Sequence, residues 1–354
     1  MDKSHWPTRL QNLHTEPFLS DLPKDVGIAI TGRCQLRCHH CFNNSGVDNP
    51  HELPLEMIER ILGEIVGFGL RHVRITGGEP SFHRQFREVV DACHSRGISM
   101  AVNTHGVYSA KMLSYLKTAP IELFLISIDG LEVNNDAIRG HGTFRQAFRS
   151  CRELHQTGQN VMIALHVGTT NKGDVQDVIA LAADMGVSVK ISLIRPVGRA
   201  VNELPSQVIQ PDDYLKVVQK IIAARKLYPH IRIITDFDIL DDPPSGNCQN
   251  KPKAASCKAG RTMVNVNYDG AIYPCLFFAT SDREFSAGDI YQTTLIEAWR
   301  YSSVFQPFRV HRKSETCQIC VHYQRSCTGG CPVISHFTTG YLDSHDPTCF
   351  AELI

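Results

Sequence analysis

The sequence predicts an α/β protein: a repeating strand–helix array followed by a smaller cysteine-rich unit. Three observations carry this. Apolar runs of strand length recur between residues 26 and 194, segments of helical period fill the gaps between them, and eight cysteines crowd residues 248 to 349 after a separate group of three at positions 34, 38 and 41.

The strand segments are Val26–Ile30, His72–Thr76, Ile98–Asn103, Ile121–Ile128, Val161–Val167 and Val189–Ile194, rich in Ile, Val and Leu as strands buried in parallel sheets are. After the first, Ile58, Ile61, Leu62 and Ile65 recur at helical spacing, and Gly67 and Gly69 end the helix. Further helices are expected over Phe86–Ser95, Lys111–Leu116, Phe144–His155 and Val175–Met185. Right-handed crossovers close such an array into a barrel or wind it into an open sheet. Six units fall short of the eight of a complete barrel. The first cysteines follow the first strand, where parallel α/β folds place ligand-binding loops.

At 354 residues and 42% hydrophobic content the chain can bury a large core. Lys+Arg and Asp+Glu are equal at 36 each, with no long run of one sign, so neither nucleic acid nor an anionic membrane is indicated as a partner. The N-terminal stretch lacks the apolar segment of a signal peptide, and no apolar run approaches the roughly 18 residues of a membrane span. The expected location is the cytoplasm, where 13 cysteines read as metal ligands or core thiols rather than disulfides.

The run Cys34-x3-Cys38-x2-Cys41 offers three thiolates. A [4Fe–4S] cluster held there keeps one iron without a protein ligand, open to a small molecule. Zinc, which favours four ligands in a closed tetrahedron, is the competing use, with His39 or His40 as fourth ligand. The spacing resembles the signature of the radical S-adenosylmethionine (SAM) superfamily. That resemblance implies SAM chelated at the open iron, cleaved by one electron to methionine and a 5′-deoxyadenosyl radical that takes hydrogen from substrate. The superfamily's partial (β/α)6 TIM-like barrel agrees with the strand count.

Residues at the strand ends extend the resemblance. Gly77-Gly78-Glu79-Pro80 after the second strand is similar to the family's Gly-Gly-Glu-Pro segment, whose backbone and glutamate receive the SAM ammonium. Glycines let backbone approach a ligand closely, and a carboxylate complements a cation. Asn103-Thr104-His105-Gly106 ends the third strand. Ser127 and Asp129, in Ser-Ile-Asp-Gly, occupy positions that face the ribose or substrate in the family. Arg195 is the arginine that the resemblance directs to the SAM carboxylate. His40 stands where the family usually has an aromatic residue near adenine, and an imidazole can also stack or hydrogen-bond there.

The later cysteines resemble the SPASM extension, which binds two auxiliary [4Fe–4S] clusters. The implied ligands are Cys248, Cys257, Cys275 and Cys331 for one, and Cys317, Cys320, Cys327 and Cys349 for the other. Cys93 and Cys151 are left as core thiols. Two zinc sites are the competing reading, but Asn267–Cys275, Gly288-Asp289-Ile290 and Trp299 look like the SPASM hairpin and helix. The expected organisation is an N-terminal extension over 1–24, the barrel over 25–240 and a small cysteine-rich SPASM domain over 241–354.

SPASM proteins often modify peptides, and the tail from Cys327 to Cys349 looks close to that of mycofactocin-type peptide maturases. Sulfatase-maturing relatives carry an Asp after the cysteine corresponding to Cys275, where this chain has Leu276. The leading expectation is oxidation or decarboxylation of a residue in a peptide. The alternatives are a dehydrogenase, epimerase or decarboxylase of a small metabolite such as a sugar or nucleoside, or a non-catalytic metal-binding protein. With 33 residues before Cys34, a peptide substrate calls for a separate recognition protein or direct capture in the barrel. The resemblance also implies an electron donor such as flavodoxin or ferredoxin. Asp236, Asp238, Asp241 and Asp242, between barrel and extension, are candidates for a base or a cation contact, against the simpler reading of a solvated linker.

Overall fold

The computed structural model describes residues 21–203, 208–237, 257–279, 283–309, 314–323, 327 and 329–353. Cys248, Asp238, Asp241 and Asp242 lie outside them. The chain runs through β1 (Asp25–Ala29), α1 (Leu55–Gly67), β2 (His72–Thr76), α2 (Phe86–Ser95), β3 (Ser99–Thr104), α3 (Ala110–Leu116) and β4 (Leu123–Ser127). It continues through α4 (Glu132–Arg139), α5 (Thr143–Gln156), β5 (Val161–Val167), α6 (Val175–Met185), β6 (Ser188–Leu193), α7 (Ala200–Glu203), α8 (Pro211–Leu227) and β7 (Ile233–Thr235). The C-terminal part holds β8 (Met263–Val266), β9 (Ala271–Tyr273), β10 (Gly288–Asp289), α9 (Leu295–Tyr301), α10 (Gln306–Arg309), α11 (Glu315–Gln318) and α12 (Pro332–Thr339).

One sheet takes all ten strands in the order β10-β9-β8-β1-β2-β3-β4-β5-β6-β7. Pairing is parallel from β8 through β1 to β7, and antiparallel only where β9 and β10 are added. Side chains alternate across each strand. Val73 and Ile75, Phe124 and Ile126, Ile163 and Leu165, and Val189 and Ile191 face the helices in one continuous apolar core. Arg74, Asn103, Leu125, Ser127, Met162, His166, Lys190 and Asn265 instead line a cavity of about 1300 Å³ on the opposite, concave face. The sheet is thus a barrel left open, as six units predict.

All six expected strands are present: β2 and β5 have the expected bounds, and the ends of the other four shift by one or two residues. Ile121 precedes β4 because its backbone closes a turn onto Ala119. Not anticipated were α4, α7, α8, α10, α11, α12, β7 and the parallel pairing of β8 with β1. Polar Glu132–Arg139 gives α4 almost no apolar stripe, and β7 has three residues. By contrast, Tyr214, Val217, Val218, Ile221 and Ala224 of α8 do recur at helical spacing, a signal present in the sequence. Strand β8 places the cysteine-rich part on the edge of the barrel sheet, aligning Asp25–Ile28 with Met263–Val266. The β8–β9 hairpin turns at Gly270, φ +85°, and α9 buries Trp299. No helix among the described residues is long and apolar enough to cross a membrane.

Candidate iron–sulfur and SAM site

Cys34, Cys38 and Cys41 follow β1 at the carboxyl end of the sheet and line the cavity. Their loop is clamped from two sides. His39 N–H donates to Ile138 O of α4 at 3.0 Å. From the segment after β6, Arg199 donates through Nε to Cys38 O at 3.0 Å, through Nη1 to Ser45 O at 2.8 Å and through its backbone to Cys41 O at 3.1 Å. Glu203 pairs with both Arg37 and His39, which gives His39 a fastening role.

The three thiols are within electrostatic reach of one another. Burial pushes Cys34 well up and Cys38 up to about 11. Bare, these are neutral thiols; a bound metal is what holds such ligands deprotonated. Donors to sulfur are in place: Leu36 N–H lies 3.4 Å from Cys34 Sγ and Arg139 Nη1 lies 4.0 Å from Cys38 Sγ.

Two further thiol groups lie along the same cavity. Cys257, Cys275 and Cys331 are mutually close, and burial raises Cys257 to about 12 and Cys275 to about 11. Cys349, also raised by burial, neighbours Cys317 and Cys320. Cys327 lines the cavity with them and accepts from Gly329 N–H at 3.3 Å. Asp346 ties the two groups together. Its Oδ2 accepts from Cys331 N–H at 2.7 Å, and its backbone oxygen accepts from Cys349 N–H at 3.0 Å. Every described cysteine is free of disulfide bonds. Soft, clustered thiols outside any disulfide, with donors aimed at sulfur, fit iron–sulfur ligation. Cys93 and Cys151 belong to the apolar core instead.

The strand-end residues divide into those on the cavity wall and those behind it. His40, Gly77, Gly78 and Ser127 are on the wall. A Cβ at Gly77 would sit 2.4 Å from Thr31 O, and one at Gly78 2.2 Å from Arg33 O, so both glycines are required by the packing of this segment on the cysteine loop. Glu79 and Pro80 are behind the wall. The Glu79 carboxylate, 1% exposed, accepts from Thr104 Oγ1 at 2.9 and 3.0 Å, from Ser81 Oγ at 2.8 Å and from His105 N–H at 3.1 Å. These bonds brace the ends of β2 and β3.

Asp129 is likewise fully buried, and works through three neighbours that do reach the cavity. Its Oδ2 accepts from Arg139 Nε and His40 Nε2, each at 2.5 Å, and its Oδ1 accepts from His166 N–H at 2.8 Å. Burial would raise this carboxyl, but Arg139 and then His40 hold it well below the usual range. Burial lowers His40 despite the carboxylate beside it. A neutral imidazole facing an acceptor-only carboxylate carries its proton on Nε2. Arg139 and His166 were missed in the sequence: Arg139 lies on the unanticipated α4, and nothing in sequence marks a histidine near the end of β5.

Arg195 also lines the cavity. Its Nε lies 3.5 Å from Cys331 Sγ, Nη1 donates to Leu193 O at 3.1 Å and Nη2 meets Asp236 Oδ2 at 3.2 Å. Its guanidinium stacks 4.5 Å from the centre of the Phe277 ring. Of the four acidic candidates after β6, Asp236 is the described one, and its partner is this arginine.

Comparison with known proteins agrees with this geometry. Residues 28–182 match the Radical SAM superfamily, and residues 257–327 match SPASM, an iron–sulfur cluster-binding domain. The chain is 28% identical to the mycofactocin maturase MftC of Mycobacterium ulcerans, over 93% of this chain and 88% of the relative. It is 27% identical to the PqqA peptide cyclase of Methylobacterium sp. strain 4-46, over 93% and 86%. Among solved structures, Streptococcus suis SuiB bound to its precursor peptide SuiA aligns with a TM-score of 0.74 at 15% identity, over 93% of this chain and 76% of that one. The SAM-bound anSMEcpe aligns with a TM-score of 0.73 at 17% identity, over 94% and 95%. Thiol loop, open barrel and cysteine-rich extension thus have one common explanation: a Radical SAM superfamily domain over residues 28–182 followed by a SPASM iron–sulfur cluster-binding domain over residues 257–327.

Proposed function

We propose that the chain is a radical SAM maturase that oxidises or decarboxylates a residue of a ribosomally made peptide. The observation that carries this is the single cavity of about 1300 Å³ shared by the Cys34–Cys41 loop, the inner barrel face and both later thiol groups. Relatives named for peptide maturation and peptide cyclisation support the reading.

In this reading Cys34, Cys38 and Cys41 hold the SAM-binding cluster. Cys257, Cys275 and Cys331, with Cys248, hold one auxiliary cluster, and Cys317, Cys320, Cys327 and Cys349 the other, giving three in all. When bound, cluster and SAM supply one-electron reductive cleavage and hydrogen-atom abstraction. The chain's residues do the positioning. Backbone of Gly77–Gly78 and the side chains of Ser127 and His40 present polar groups to the cofactor. Asp129 fixes His40 and Arg139, and the apolar wall of Leu123, Leu125 and Met162 packs the substrate side chain and excludes water. A flavodoxin or ferredoxin supplies the electron, a separate recognition protein delivers the peptide, and the reaction takes place in the cytoplasm.

The test is anaerobic, reductant-driven formation of 5′-deoxyadenosine from SAM with host extract added before and after protease treatment. Stimulation that protease abolishes supports a peptide substrate. Stimulation that survives protease and passes a small-pore filter identifies a metabolite and overturns the proposal.

A further inference from the structure

Arg195 brings a buried positive charge to a thiol group remote in sequence. Its side chain is 8% exposed, and its Nε is directed at Cys331 Sγ, whose neighbours are Cys257 and Cys275. The position is over-determined. Leu193 O accepts from one end of the guanidinium, Phe277 covers its face, and Asp236 pairs with the other end. An arginine needed only to neutralise Asp236 has no reason to turn Nε toward sulfur.

We infer that Arg195 and Asp236 set, with opposite sign, the reduction potential of an iron–sulfur centre held by Cys257, Cys275 and Cys331. This rests on the proposed assignment of those thiols as ligands. Reduction adds one negative charge to a centre already surrounded by thiolates. A guanidinium donating to a ligand sulfur stabilises the reduced form more than the oxidised form and raises the potential; hydrogen bonds to sulfur and local charge are among its main determinants. Burial strengthens both terms, because the surrounding dielectric is low. Asp236, one guanidinium away, opposes the effect. Arg195 is therefore a positioning and tuning residue.

The experiment uses the full chain, reconstituted anaerobically with iron and sulfide, with iron counted and each cluster's midpoint potential followed by electron paramagnetic resonance. The signal lost in Cys331→Ala identifies the centre concerned. Arg195→Gln is expected to lower that midpoint by at least the 59 mV that marks a tenfold change in a one-electron equilibrium. Arg195→Lys, which keeps the charge but loses the fork geometry, is expected to lower it less, and Asp236→Asn to raise it. The signals that survive Cys331→Ala stay unmoved. Loss of no signal in Cys331→Ala removes the ligand assignment, and the inference with it. An intact signal and full iron content with no shift, or with shifts of the same sign in Arg195→Gln and Asp236→Asn, overturns the tuning role alone. Should Arg195→Gln fail to fold, Arg195→Lys and Asp236→Asn still decide the sign.

Discussion

Gly198 approaches Cys41 so closely that a Cβ on it would sit 2.4 Å from the Cys41 carbonyl oxygen and 2.6 Å from that of Phe42. Its φ of +59° lies in the left-handed region. The turn after β6 thus serves as the back wall of the cysteine loop, and Arg199, the next residue, supplies the hydrogen bonds that hold it.

Gly198→Ala is therefore expected to cost about 1–2 kcal/mol in backbone strain alone, with more from the clash, and to lower iron retention. Gly46→Ala, in the same loop but with open space around the position, should change both far less. Thermal unfolding and iron per chain measure the contrast.

Asp129→Asn removes the charge shared by Arg139 and His40. Leaving a buried guanidinium without its carboxylate is expected to destabilise the fold by about 3–5 kcal/mol at neutral pH. Because Arg139 and His40 depress the folded-state pKa below the unfolded value of about 4, the carboxylate's contribution is complete above pH 4. It is lost as pH falls through the lowered folded value. Chemical denaturation of both proteins between pH 7 and pH 2 should show their difference shrinking at the acid end.

Replacing Cys34, Cys38 and Cys41 together by Ala is expected to reduce bound iron from about twelve to about eight per chain, as the three four-iron clusters of the proposed function require, and to abolish SAM cleavage. Cys93→Ala and Cys151→Ala should leave iron unchanged and cost about 1 kcal/mol in stability. Both thiols sit in the apolar core on α2 and α5, where burial pushes them up to about 12. Iron analysis beside denaturation separates the two sets.

Asp136 caps the start of α5. Its carboxylate accepts from Gly142 N–H at 2.6 Å and Phe144 N–H at 2.8 Å. Asp136→Ala is expected to lower stability by about 1 kcal/mol with iron content unaffected, read as a shift in the urea midpoint.

Much of the fold was legible because burial in a parallel sheet leaves apolar runs and crossover helices leave a 3.6-residue stripe. The strands from Val26 to Ile194 and the helix over Ile58–Ile65 are read this way. Helix α4 was not, because polar Glu132–Asp136 is retained for its contacts rather than for an apolar face: Asn135 binds Asp129 N–H and Asp136 caps α5.

The sequence by itself determined the motifs: Cys34, Cys38 and Cys41 at their spacing, Gly77-Gly78 after the second strand, and the later cysteines as a second inventory. Side-chain identity and short-range spacing carry that information. Only the tertiary structure decided which residues meet. It turned Glu79 inward onto Thr104 and His105, joined His40 to Asp129 across 89 residues, and sent Arg195 to Cys331 across 136. Such contacts depend on where strands end and which way buried charges must turn to find partners. That is settled by packing and by the cost of leaving a buried charge unpaired, neither of which is written in local sequence.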